Sequence, residues 1–477
     1  MSTESENLRR HAKEDARGLL RRLTFGLSSQ AFIITALILR NIAVVPVFIS
    51  THGVAGYADW VKMMAVSTLL VIVSLGQNYY YGYQVRTARA ERDYDRMNQV
   101  IADANGFFIV LYVVVGVLLV AGLLVVDVAS LLNLEQTGRL EASVVLGVLL
   151  ASLVGQVYRD TLRGIYIAYG ELTRSEVIQA LANIALAVAV IGALLLDASL
   201  LTIAVLYVAA IPGLVCSAAW WDFRRYREVE AGVSWRPPAL TRERLRRLVA
   251  HGVPQLTERL LRTGPMVLLG VFGVPSATVV QFNLARTAGN LLRARQFAMV
   301  FSVELSRQRT QADWPGFHRL HRRGAAVIGV FGGGIAGGML GLWDLFLPVW
   351  TGGAVTPDML LIALMVAETA VIAFGEHSMA LLRWGGRIAD VARCQLAATV
   401  FAGALAIPAL AIGGVYPMLV VMTIGALLFL HLMPGWYARR NMGASAWAGS
   451  GLPPLTGLLT AAVVYALLQV LRGMFAL

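Results

Sequence analysis

The sequence predicts an all-α, polytopic membrane protein with twelve core transmembrane helices in two pseudo-symmetric six-helix lobes. Apolar residues occupy 57% and charged residues 14% of the 477 positions, whereas soluble domains contain about 45–50% and 25%. A bilayer core about 30 Å thick requires about 20 apolar residues per helix, and such runs recur along the whole chain. Arginine-rich and arginine-poor segments alternate between the runs, which is an independent indication of the same fold class.

Two groups of six apolar runs flank a polar segment in the middle of the chain. Hydropathy places the predicted spans at about 24–50, 59–83, 101–126, 142–167, 177–196, 200–221, 248–271, 278–302, 324–349, 359–382, 391–412 and 416–434. The predicted domains are a basic cytoplasmic tail at 1–23, an N-terminal lobe at 24–221, a cytoplasmic linker at 222–247, a C-terminal lobe at 248–437 and a candidate thirteenth helix at 455–474.

Basic side chains predict the orientation of the chain in the membrane. Of the 40 basic residues 38 are arginine, and 30 of the 40 fall in the tail or in alternate connecting segments. Because short cytoplasmic loops are enriched in Arg and Lys, we expect a cytoplasmic N-terminus and a bacterial inner-membrane location. The arginines form no continuous basic face, so nucleic acid is not an expected partner.

Residue types that bind cofactors or metals lack the necessary context in this sequence. The two cysteines lie in apolar runs, and neither of the two lysines follows a glycine-rich phosphate loop. His318 and His321 have helical spacing but lie in a basic segment without an acidic partner. We therefore expect no cofactor, no metal site and no ATPase activity.

A weak internal repeat relates the two predicted lobes. Arg40 in the first span corresponds to Arg262 in the seventh, 222 positions later, and two further motifs recur at offsets of 217 and 215. Six spans per unit give both halves the same orientation, as in transporters whose halves rock about an axis along the membrane normal. We expect Arg40 and Arg262 to face each other across that axis.

Ionisable and amide side chains within the spans are the candidate functional groups, because a charge in the bilayer is costly unless it meets a cavity or a partner. Arginine stays charged when buried and binds phosphate oxygens in pairs. The residues predicted to bind the phosphate-bearing headgroup of a substrate are Arg40, Arg159, Arg259, Arg262 and Arg286. Amide side chains that could bind ligand hydroxyl groups, which the resemblance given below implies are those of sugars, are Gln77, Asn78, Gln156, Gln281 and Asn290, with Asn283 as a further candidate. The predicted coupling or counter-charge groups are Asp160, Glu258, Glu368, Glu376 and His377.

Several of these charges also have a purely structural interpretation. Arg159 with Asp160, and Glu258 with Arg262, have the spacing of ion pairs that stabilise helices. The acidic and histidine groups of the tenth span could bind a proton or act as counter-charges for the arginines.

Spaced motifs between residues 39 and 85 carry a resemblance to a known superfamily. They are Arg40, Pro46, Gly53, Gly56-Tyr57 and Ser74-Leu75-Gly76, and further similar stretches follow at 251–261 and 279–287. These segments resemble polysaccharide exporters of the multidrug/oligosaccharidyl-lipid/polysaccharide (MOP) superfamily, the Wzx-like flippases, and more distantly MurJ and MATE transporters.

Two departures refine this resemblance. Relatives often carry an acidic residue later in the seventh span, where this chain has Thr263-Gly264-Pro265, and the multidrug branch places an acid in the first helix, where this chain has Arg40. The resemblance therefore favours the lipid-linked glycan branch over the multidrug branch.

Together these features predict a flippase that moves an undecaprenyl-pyrophosphate-linked oligosaccharide to the outer leaflet for surface polysaccharide such as O-antigen. Membrane lipid, a proton or sodium counter-ion, and polymerase or glycosyltransferase machinery are the expected partners, and we expect a monomer. A lipid II flippase or a cation-coupled drug antiporter remains an alternative. A membrane glycan polymerase or ligase is an alternative of another class, although the longest predicted outer loop, 127–141, is short for a catalytic loop.

Overall fold

The computed structural model describes residues 2–69, 77–230, 241–292, 305, 308, 312–384, 387–442 and 444–475. All of the regular elements in these ranges are helices. The predicted all-α class is therefore confirmed, and the described helices follow the predicted spans closely.

The first helix, α1, spans Ser2–Leu69 and is broken at Gly53. Gly53 has φ 70° and ψ 175°, a backbone conformation that glycine adopts without the steric cost of a Cβ atom. This break lies between the first two predicted spans, so α1 turns where the sequence predicts a short connection.

The other helices of the N-terminal half follow in order. They are α2 (Gln77–Ala90), α3 (Tyr94–Val125), α4 (Val128–Leu131), α5 (Arg139–Ala168), α6 (Leu172–Leu195), α7 (Leu200–Val208) and α8 (Val215–Phe223). A π-helical segment, Ala209–Leu214, joins α7 to α8 and contains Pro212. Because proline has no backbone N–H, the regular α-helical hydrogen bonding cannot continue through this position.

Eight further helices of the C-terminal half lie within the described residues. They are α9 (Arg242–Val271), α10 (Ser276–Leu292), α11 (Trp314–Thr351), α12 (Met359–Trp384), α13 (Ile388–Gly413), α14 (Val415–Gly425), α15 (Met433–Met442) and α16 (Ala444–Phe475). A second π-helical segment, Ala426–Leu432, joins α14 to α15.

Nine helical segments of the described residues are long and apolar enough to cross a membrane. They lie on predicted spans one, four, five, six and nine to thirteen. Predicted span two corresponds to the second part of α1 together with α2. Predicted spans three, seven and eight correspond to α3, α9 and α10. The chain is thus a multi-pass membrane protein, and the predicted thirteenth helix is a candidate span.

Short polar side chains begin several helices outside the apolar segments. Asp93, Asp127, Ser199 and Asp313 each accept a hydrogen bond from the backbone N–H three residues later. Each bond satisfies one of the N–H groups that a helix leaves unpaired at its start. At α4 the backbone and hydroxyl of Ser130 hold the pKa of the Asp127 carboxyl below its usual value.

The largest apolar core joins the two halves of the chain. It includes Phe48 and Met63 of α1 together with Phe282 of α10 and Trp343 of α11, all at most 2% exposed. This core fixes α1 against the C-terminal half, and the polar residues beside it line the cavity described below.

The glycines of α11 explain how α16 is held. Gly329, Gly333, Gly337 and Gly341 all face α16 so closely that an added Cβ would collide with it. Arg472 of α16 also forms an ion pair with Asp344 at 2.8 Å. Close packing of small residues therefore holds α16 against α11.

Candidate functional site

A cavity of about 250 Å³ lies between the two halves of the chain. Its walls come from both parts of α1 and from α7 on one side, and from α9 and α10 on the other. The polar residues that line it are Arg40, Asn41, Tyr57, Thr68, Tyr207, Thr263, Asn283, Arg286 and Thr287.

Arg40 projects into this cavity from the first part of α1. Its Nη1 donates a hydrogen bond of 2.7 Å to Asn183 Oδ1 of α6. Its Nε and Nη2 each lie 3.4 Å from Asn41 Oδ1. The guanidinium also lies 5.9 Å from the centre of the Tyr207 ring. Within the described part of the chain, its polar partners are therefore neutral groups.

Arg286 lines the same cavity from α10 of the C-terminal half. Its guanidinium lies 6.0 Å from the centre of the Phe282 ring and is near enough to Glu368 of α12 to be attracted electrostatically. Among the described residues it forms no ion pair with a carboxylate. Arg40 and Arg286 thus bring two positive charges, one from each half, to a single cavity.

A hydrogen bond also crosses the cavity between the halves. Asn283 Nδ2 of α10 donates to the Tyr57 hydroxyl of α1 at 3.1 Å, and Tyr57 is 6% exposed. Asn283 is a sugar contact predicted from the sequence, and it lines this cavity. The neighbouring Trp350 Nε1 donates to the Ile42 carbonyl at 2.9 Å, which is a second contact between the halves.

Arg262 occupies a different place from the one predicted. The sequence predicts that it faces Arg40, whereas the structure places it in a separate cavity of about 30 Å³ with Glu258 and Glu376. Glu258 lies one helical turn before Arg262 and forms an ion pair with it at 2.8 Å. The helix directs Thr263 rather than Arg262 toward the larger cavity, because adjacent helical residues point in directions about 100° apart.

The other predicted headgroup residues also lie away from the cavity between the halves. Arg159 forms an ion pair with Asp160 at 2.7 Å and lines a small cavity within the N-terminal half. Arg259 has an exposed side chain that makes an interaction of its own. Arg159 and Arg262 therefore form the ion pairs that the structural interpretation of these charges predicts.

Predicted sugar contacts are spread over several environments. Gln281 is 3% exposed and donates to the Asp358 carbonyl at 3.2 Å, so its amide is already used within the C-terminal half. Gln156 is half-buried in α5. The side chains of Gln77, Asn78 and Asn290 lie outside the described residues.

The predicted coupling groups of the tenth span lie on α12 and are mostly buried. Glu368 is 7% exposed and Glu376 is half-buried. His377 is 1% exposed, and its Nε2 donates a hydrogen bond to the His321 carbonyl at 2.6 Å. Its ring stacks on the His321 ring with 4.1 Å between the ring centres. The stacked imidazoles show that His321 packs within the C-terminal half.

At the arginine-poor end of the bundle, the connection before α5 contacts the connection between α9 and α10. Asn133 Nδ2 donates to the carbonyls of Gly270 and Val271 at 3.0 and 3.2 Å. Ser276 Oγ donates to Glu135 Oε1 at 2.5 Å. These contacts join the two halves at this end of the molecule.

Two buried charges of α1 support that contact. Asp59, 0% exposed, accepts hydrogen bonds from the backbone N–H groups of 135, 136 and 137 at 2.8–3.0 Å. Lys62, 1% exposed, donates to the Asn133 carbonyl at 2.8 Å and is attracted by Asp59. The carboxylate and the ammonium therefore fix the loop that carries Asn133 and Glu135.

Two residues of the site carry no motif in the sequence. Asn183 and Tyr207 lie in the fifth and sixth predicted spans, and only the fold brings them to Arg40. The sequence feature that could have identified Asn183 is the one that identified Arg40, because a polar side chain in the middle of an apolar run requires a partner.

No family model and no curated protein matches the chain. Solved structures do match. An inward-facing multidrug resistance MATE family transporter of the MOP superfamily superposes with a TM-score of 0.64 at 15% identity, covering 90% of this chain and 95% of its own. The lipid II flippase MurJ, in an inward closed conformation, superposes with a TM-score of 0.62 at 10% identity, covering 96% and 100%.

The chain has the fold of these transporters. A eukaryotic MATE transporter, AtDTX14, gives the same result, with a TM-score of 0.64 at 15% identity over 91% of this chain and 98% of its own. Between 90% and 96% of this chain thus follows the MATE and MurJ fold, which is the fold that the motif resemblance implies.

Proposed function

We propose that the chain is a flippase that moves a polyprenyl-pyrophosphate-linked oligosaccharide from the cytoplasmic to the outer leaflet of the bacterial inner membrane. The observation that carries this proposal is the shared cavity of Arg40 and Arg286 between the two halves. Two permanent guanidinium charges suit the oxygens of a pyrophosphate, which they can bind in pairs. A cation would be repelled by the same two groups.

The cavity gives the charged headgroup a route that the bilayer does not. An ionised group in hydrocarbon is strongly disfavoured unless it is paired, whereas the isoprenoid tail is stable in lipid. The tail can therefore remain in the membrane while the headgroup passes through the cavity. Asn41, Thr68 and Asn283 on the cavity wall are suited to bind sugar hydroxyls.

The contacts at the arginine-poor end support an alternating-access route. With the arginine-rich end cytoplasmic, the bonds of Asn133 and Ser276 would join the two halves on the outer side of the membrane. The headgroup would enter from the cytoplasmic side, and release would require these bonds to break as the two halves rock apart.

A lipid II flippase is the second candidate, because lipid II presents the same pyrophosphate chemistry and MurJ shares the fold. A drug antiporter is supported by the MATE fold, but two arginines in the cavity oppose a cationic drug. The headgroup chemistry therefore favours a lipid-linked glycan of either kind.

Reconstitution in vesicles tests the proposal. Purified protein should carry a fluorescent polyprenyl-pyrophosphate oligosaccharide to the opposite leaflet, and Arg40→Ala and Arg286→Ala should each slow this movement about tenfold or more. Arg319→Ala, at an exposed position of α11, is the matched control and should retain wild-type activity. Equal activity of all four proteins would refute the proposal.

A further inference from the structure

Asn183 is held in one orientation by its own helix. The side chain is 2% exposed, and its Nδ2 donates to the Gln179 carbonyl of α6 at 2.8 Å. A carbonyl can only accept, so the amide must present Oδ1 on its other side. That oxygen accepts the 2.7 Å bond from Arg40 Nη1.

The partner of Arg40 differs in chemical nature from the partners of three other described arginines. Arg159, Arg262 and Arg472 are each bonded by a carboxylate, which neutralises them. Arg40 is instead bonded by two amides, those of Asn183 and Asn41. An amide oxygen fixes a guanidinium in place but leaves the full positive charge available to a ligand.

The surroundings of the Arg40 guanidinium preserve this charge. Tyr207 presents the face of a neutral ring, and the charged group that shares the cavity, Arg286, is also positive. The acid Glu368 of α12 attracts Arg286 electrostatically on the other half. The α1 side of the cavity therefore stays cationic among the described residues.

From this geometry we infer that Asn183 is a positioning residue that fixes the Arg40 guanidinium without neutralising it, and so makes the cavity selective for an anionic diphosphate headgroup. This inference rests on the proposed function and adds a specificity residue to it. The inference also explains why a neutral amide occupies buried position 183, although an acid there would form a stronger bond with Arg40.

The test measures inorganic pyrophosphate binding to the purified full-length protein by calorimetry. Asn183→Asp keeps the size of the side chain and introduces a carboxylate next to Arg40, so the affinity should fall on the order of tenfold or more. Asn183→Leu removes the acceptor without adding charge, so it should lose less affinity than Asn183→Asp. Asn441→Asp is the matched control, because Asn441 makes the same bond to a carbonyl four residues earlier at an exposed site.

Thermal unfolding of each variant separates positioning from a structural role. We expect Asn183→Asp to unfold at or above the wild-type temperature, because the new carboxylate pairs with Arg40, while binding is lost. Wild-type affinity in Asn183→Leu would overturn the positioning role, even if Asn183→Asp fails to fold. If Asn183→Asp binds pyrophosphate with wild-type affinity while Arg40→Ala loses affinity, the role of Asn183 would be overturned and the proposed function would stand. Equal pyrophosphate binding by wild type and Arg40→Ala would overturn the proposed function as well.

Discussion

Ser276 at the start of α10 donates a hydrogen bond to Glu135 in the connection before α5, at 2.5 Å, and thereby joins the two halves of the chain. Glu135 is positioned by Asp59, which accepts its backbone N–H at 3.0 Å. The contact between the halves therefore depends on a buried carboxylate in α1. This arrangement leads directly to the first two predictions.

Loss of the Ser276 hydroxyl should make the arginine-poor end open more often. For Ser276→Ala we expect amide hydrogen exchange in segments 132–138 and 270–276 to accelerate about fivefold to tenfold, which corresponds to one lost hydrogen bond of about 1 kcal/mol. Ser199→Ala is a suitable control, because Ser199 caps α7 within the N-terminal half and should change exchange only locally. Unchanged exchange in both segments would show that the contact does not hold the halves together.

Asp59→Asn should destabilise the protein far more than a surface substitution. The amide cannot accept the three backbone bonds as a carboxylate does, and buried Lys62 loses one of the two carboxylates that attract it, Glu135 being the other. A broken buried charge pair costs about 3–5 kcal/mol. In a double-mutant cycle, the changes in unfolding free energy caused by Asp59→Asn and Lys62→Met should be strongly non-additive. Additive effects in thermal unfolding would argue against the coupled pair.

The glycine face of α11 provides a prediction with an internal control. Gly333→Val should separate α16 from α11, because an added side chain would overlap the backbone of Gly457. Gly338→Val, where nothing lies within 4 Å of the added Cβ, should be tolerated. Proteolytic cleavage in the first turns of α16, at 444–452, reports on the docking of α16, and equal cleavage rates in the two variants would contradict this packing.

Much of the fold could be predicted because hydropathy and loop charge act locally. The break at Gly53, for example, lies in the predicted connection between the first two spans. The site could be predicted only in part. Arg40 and Arg286 are visible as charges within apolar runs, but the direction of Arg262 depends on helix rotation, which a repeat offset of 222 positions does not determine.

The partner of Arg40 lay beyond sequence reasoning for a different physical reason. Asn183 is 143 positions away and meets Arg40 only because α6 packs along α1. Ion pairs such as Arg159 with Asp160 are adjacent in sequence and could be predicted from spacing. Contacts between distant helices depend on packing geometry, so the cross-cavity bond from Asn283 to Tyr57 also required the structure.

The most direct measurement compares two short prenyl ligands of equal chain length, farnesyl pyrophosphate and a farnesyl ammonium, for binding to the full-length protein. A cavity charged by Arg40 and Arg286 should bind the pyrophosphate on the order of tenfold or more tightly than the ammonium. The preference should weaken as salt concentration rises. It should disappear in the variant that combines Arg40→Ala and Arg286→Ala. Tighter binding of the ammonium by the wild-type protein, or an unchanged preference in the double variant, would contradict the account.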